Sequence, residues 1–141
     1  MKSLPTIEIK VKLKTDKNDP MDKNGLRKVD TKELEKSTAH IIVEIIEYVP
    51  NAVLSKTIIK KTTGNITVSS LDAGEELAET MSPFDHYIQI IDGTAEVIID
   101  EKKYRLKLGE GIIIPAHSRH CFNANEQFKM ISTTIKSGYE D

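Results

Sequence analysis

Two histidines, His86 and His120, offer this 141-residue chain its most versatile chemistry. An imidazole can ligate a metal, transfer a proton near neutral pH, or hold a hydrogen bond in a polar interior. Each stands in a glycine-bounded stretch. The first runs from Gly74 to Gly93 and sets Thr80, Ser82 and His86 at spaced polar positions. The second runs from Gly109 through Pro115, His117 and His120 to Phe122 and Asn123. Residues two apart in a strand share a face, so Thr80 points with Ser82, and His120 with Phe122. With His86 facing inward, Ile88 and Ile90 join it on the core side. A barrel closed by these strands would bring His86 and His120 towards one another, and Thr80, Ser82, His86, His120 and Phe122 become the candidate ligand pocket.

The other reactive side chains have plainer readings. Glu79 would complete a two-His-one-carboxylate set, but alternation turns it away from Thr80 unless a bulge intervenes. His117 beside Pro115 reads as a solvent-facing loop residue, and His40 as structural or exposed. Cys121 should face away from His120 as a buried thiol rather than a nucleophile. Asp85 reads as a turn residue and Glu110 as a surface one. Tyr104, Leu106 and Leu108 read as core or interface packing, Tyr87 as an interface candidate, and Met130 as a shaper of the pocket or ordinary core.

Positioning these residues takes a β architecture. From residue 53 onward, strands are expected near 53–60, 65–71, 76–81, 86–91, 94–99, 103–108, 111–114, 119–124 and 127–136, separated by turn signals. Asp92-Gly93 predicts a two-residue hairpin, since a type I′ turn needs positive φ at both central positions. Many short strands with regular punctuation argue for a sandwich or closed barrel. Upstream, Ile7, Ile9, Val11 and Leu13 alternate with Glu8, Lys10, Lys12 and Lys14, as in a lysine-rich edge strand. The polar stretch 15–28 reads as a flexible loop. Asp30 before Thr31–Lys36 is a plausible helix N-cap, and Ile41, Ile42, Ile45 and Ile46 suit one helical face or a strand. The expected organisation is an N-terminal strand and loop over 1–29 and a single domain over 30–141.

Composition removes several function classes. The chain is long enough to bury a core without disulfides, and its single cysteine forbids an internal one. A net charge of −2 with scattered Lys and Arg gives nucleic-acid binding no electrostatic support. No apolar run approaches the roughly 18–20 residues that span a bilayer, and Met1–Pro5 is not followed by the apolar core of a signal peptide. A cytoplasmic protein is the expectation.

The spacing Gly74–five residues–Thr80–x–Ser82–three residues–His86–six residues–Gly93 resembles the first cupin motif. Gly109–five residues–Pro115–x–His117–two residues–His120 resembles the second. Ser82-Pro83-Phe84-Asp85 and Phe128-Lys129-Met130 also resemble a group of small bacterial cupins without a general assigned activity. The resemblance covers residues 53–136 and implies an RmlC-like, cupin-type double-stranded β-helix (jelly-roll) barrel. To it the chain adds a short N-terminal helix and an N-terminal edge strand. Metal-binding cupins usually carry His at the positions of Thr80 and Ser82, Glu at that of His86, and His at that of His120, where His117 replaces a usual glycine. Only His120 matches by identity. His86 and His120 remain candidate ligands for a divalent transition metal (zinc, nickel, iron or manganese), with waters completing the shell.

Three functions follow. One is binding of a small organic ligand in the barrel pocket. A second is a metal-dependent oxygenase or isomerase using His86 and His120. A third is a non-catalytic structural or regulatory homodimer, to which the resemblance to small cupins adds the expectation of dimerisation itself.

Overall fold

The computed structural model describes residues 26–139. Ten strands account for most of them: β1 (Leu26–Asp30), β2 (Ala52–Lys61), β3 (Gly64–Leu71), β4 (Glu76–Met81) and β5 (Asp85–Gly93), then β6 (Ala95–Ile99), β7 (Lys102–Leu106), β8 (Gly111–Ile114), β9 (Arg119–Asn123) and β10 (Phe128–Ile135). They form a six-stranded sheet in the order β1-β2-β3-β10-β5-β8 and a four-stranded sheet in the order β4-β9-β6-β7. This is the mainly β, jelly-roll barrel that the two glycine-bounded stretches imply.

Period-two alternation builds the interior. In β6, Ala95, Val97 and Ile99 are buried while Glu96 and Ile98 are partly covered, and Phe128 and Met130 of β10 answer them from the other sheet. Val53, Leu71, Ile90, Val97, Phe128 and their neighbours fill the closed end of the barrel. Burying a side chain such as Phe128 stabilises by roughly 1.5–3 kcal/mol relative to exposure. A second apolar cluster lies on the reverse face of the six-stranded sheet. There Ile46, with Ile42, Ile45 and Val49, covers Leu54, Val68 and Ile131.

Three expectations change on the structure. Residues 31–36 form no helix. Asp30 accepts the Lys32 N–H at 3.0 Å in a local turn rather than capping a helix, and the chain then runs alongside β2. Leu34 N–H donates to the Ile58 carbonyl and the Glu33 carboxylate accepts the Lys60 N–H, so tertiary partners take the groups a helix would have used. The only helical element among the described residues is a single 3-10 turn, Ile42–Glu44. Leu26–Asp30, part of which was read as loop, is a strand parallel to β2 and straddles the expected boundary at residue 29. The alternating segment 7–13 lies outside the described residues.

Asp92-Gly93 is not a hairpin either. It carries the chain from the end of β5 in one sheet to β6 in the other, and only Gly93 has positive φ, at 76°. A Cβ there would also sit 2.9 Å from the Phe128 Cα, so close strand contact as well as conformation demands glycine. The two-residue hairpin with positive φ at both positions is at Asp100 (49°) and Glu101 (71°), joining β6 to β7.

Candidate functional site

The open end of the barrel is a cavity of about 480 Å³. The six-stranded sheet supplies one wall, whose composition follows from register. Asn65, Thr134, His86 and Ile114 lie side by side across β3, β10, β5 and β8, and Thr67, Ser132 and Ile88 form the next row. Ser55, Ser69 and Met130 form a third row across β2, β3 and β10. The wall therefore grades from hydroxyls on β2, β3 and β10 to apolar groups on β5 and β8. Leu77, Glu79 and Thr80 of β4 and His120 and Phe122 of β9 face it from the other sheet, with Arg27 of β1 at the margin.

His86 and His120 meet as the spacing predicts, with ring centroids 5.6 Å apart and planes tilted by 55°. Phe122 packs edge-on against His120 at 6.1 Å. The Nδ1 of His86 shares a hydrogen bond of 2.8 Å with the Thr134 hydroxyl, while its Nε2 is out of contact with solvent and has no partner among the described residues. Burial, then the neighbouring His120 ring, holds the His86 pKa below its ordinary value. The imidazole is neutral at neutral pH. His120 is itself buried, and its Nδ1 lies 3.4 Å from the Ser118 carbonyl, a long contact.

Thr80 lines the cavity but Ser82 does not. β4 ends at Met81, so alternation stops one residue short of Ser82. The Ser82 hydroxyl accepts the Phe84 N–H at 3.1 Å and its carbonyl accepts the His117 N–H at 2.6 Å, which makes it a turn residue. His117 is exposed at φ 69°, the left-handed conformation that explains why glycine suits this place. Asp85 anchors the same corner by accepting the Ala116 N–H, and Glu110 accepts the Lys107 N–H. Cys121 is half-buried, and burial together with Glu79 pushes its thiol up, away from reactivity. His40 and Leu108 are exposed.

Glu79 lines the cavity because β4 is bulged. Leu77 pairs with Phe122 and Thr80 with His120, so Ala78 and Glu79 together oppose Cys121. Even so, no cluster of three or more His, Cys, Asp or Glu side chains suited to a metal exists among the described residues. A catalytic zinc or iron generally takes three protein ligands. Here the donors are His86 Nε2 and His120, since Thr134 engages the other His86 nitrogen. The residues present do not fit such a centre.

The hydroxyl-bearing wall escaped sequence reading. Its signal is the alternation Asn65, Thr67, Ser69 on β3 and Ser132, Thr134 on β10, which also describes a strand with a solvated face.

Comparison with known proteins agrees with the architecture. Residues 67–134 match the Cupin domain family. A conserved protein of unknown function from Streptococcus pyogenes is 31% identical, with 74% of this chain and 92% of that one aligned at a TM-score of 0.71. A cupin superfamily protein from Desulfitobacterium hafniense is 26% identical over 75% of this chain and 97% of its own, at a TM-score of 0.70. A pyrimidine/purine nucleoside phosphorylase of Wolinella succinogenes is 33% identical over 93 residues, 61% of this chain and 82% of that protein.

Proposed function

This chain belongs to the cupin family, and on that premise we propose that its function is to bind a small organic molecule in the open end of the barrel. The observation that carries the reading is the 480 Å³ cavity, in which His86, His120, Thr80 and Thr134 converge beside Ile88, Ile114 and Phe122. Cavities of roughly 300–1,000 Å³ with few convergent polar groups are typical of small-molecule sites. His86, Thr134 and His120 would orient the ligand, and Thr80 and Phe122 would border it.

The test is a thermal-shift screen of the full chain against small organic compounds. Nucleosides with phosphate belong in the first plate, because one relative is a nucleoside phosphorylase. A compound that binds the folded form raises the melting temperature by linkage. Its effect should vanish in Thr67→Phe, which fills the half-buried middle row of the cavity. Failure of every compound class, or a shift that persists in folded Thr67→Phe, would defeat the reading.

A further inference from the structure

We infer that the ligand is a polyhydroxylated small molecule carrying an oxyanion, a sugar acid or a sugar phosphate, whose oxyanion is held by Arg27. The inference rests on the cavity being a ligand site and adds the chemical class of what it takes.

The polar groups are segregated. Ser55, Thr67, Ser69, Ser132 and Thr134 place five hydroxyls on three adjacent strands, whose spacing is about 4.8 Å. A hydroxyl both donates and accepts, so this surface matches a ligand with the same dual capacity, a polyol, better than one presenting only donors or only acceptors. Ser55 and Ser69 already hold one another at 2.9 Å, which leaves each with capacity for a further bond. Across the cavity, Leu77, Ile114 and Phe122 offer an apolar surface to the C–H face of a sugar ring.

Charge then selects among polyols. Among the described residues, Arg27 is the only Lys or Arg that lines the cavity. Asp30, at the end of the same strand, pairs with Lys56 at 3.0 Å. Arg27 takes part in no ion pair among the described residues. A guanidinium presents a fork of donors that matches a carboxylate or phosphate. Glu79, the one carboxylate in the lining, sits on β4 in the opposite sheet. A bound molecule is thereby oriented with its oxyanion towards β1 and its neutral hydroxyls elsewhere.

Isothermal titration of the full chain with glucuronate, glucose 6-phosphate, glucose and inorganic phosphate tests this. A charge-assisted hydrogen bond is worth enough that at least one anionic sugar should bind about tenfold more tightly than glucose. Whichever of the two binds more tightly identifies the oxyanion as carboxylate or phosphate. Arg27→Gln should bring that sugar down to the level of glucose, and Arg27→Lys should restore part of the preference. Equal binding of glucose, a preference that survives Arg27→Gln, or inorganic phosphate binding as well as the sugar phosphate would overturn the inference. Silence from all four probes would overturn it too, while the cavity reading would still stand or fall on its own screen.

Discussion

The two ends of the barrel use the same strands for opposite purposes. Along β10, inward positions pass from Phe128 and Met130 to Ser132 and Thr134, and along β5 from Ile90 and Ile88 to His86. On β3 the sequence is Leu71, then Ser69, Thr67 and Asn65, and on β2 it is Val53, then Ser55. The change steps across the sheet, falling one row later on β10 than on β2 and β3 and one row later again on β5. The closed end is dry and packed, and the open end is hydroxyl-lined. On the proposed reading, stability and recognition are separated by position along a strand rather than by element. A substitution near the Phe128 row should act on folding, and one near the Thr134 row on what the cavity accepts.

The severest test of that division is Phe128→Ala. Phe128 is fully buried between Leu71 and Gly93, and truncation leaves a cavity that the surrounding sheet cannot close. Chemical denaturation should show a loss of about 3–5 kcal/mol. A loss under about 1 kcal/mol would mean that the closed end is not the stabilising half.

An intermediate effect is expected within the open end, at His86 and Thr134. Thr134→Val keeps shape but leaves His86 Nδ1 without its hydrogen bond, and should cost about 1–3 kcal/mol. His86, through its burial and the neighbouring His120 ring, also gives the protein a pH dependence. The folded pKa of His86 lies below the ordinary value of 6.5, so between the two values the unfolded chain holds a proton that the folded chain refuses. Stability is then greatest above about pH 6.5 and declines as pH falls through that window. His86→Asn should flatten this part of the profile in urea melts recorded from pH 7.5 downward. An unchanged slope would place the titrating group elsewhere.

Much of this division is legible in the sequence, and most of the parts that are not depend on long-range partners. The strands from β2 onward were marked by alternation and turn residues, and the two histidine motifs located the open end. Alternation identifies two faces without saying which one is inside. On β10 and β3, Ile131 and Val68 point outward beneath Ile42, Ile45 and Ile46, while Ser132 and Thr67 point inward. The ordinary rule, apolar in and polar out, is inverted at the open end because a second apolar cluster covers the outside of the sheet. Ser82 was misplaced for a local reason, since its strand ends at Met81. The 31–36 helix failed because Glu33 and Leu34 find partners on β2. These long-range choices leave no mark in a local window.

The smallest expected effect sharpens the comparison most. Ser132 stands one inward position beyond Met130, is partly covered, and its hydroxyl holds no hydrogen bond among the described residues. Removing its hydroxyl leaves no buried partner stranded and opens little space. Ser132→Ala should therefore change stability by no more than about 0.5 kcal/mol in denaturant melts. If the open end is built for a ligand, the same variant should weaken the compound found by screening severalfold, since a hydroxyl that contacts only the ligand has nothing else to lose. Loss of stability without loss of binding would show that the hydroxyl wall belongs to the fold, and the division between the two ends would dissolve. Loss of binding alone would place the boundary between Met130 and Ser132.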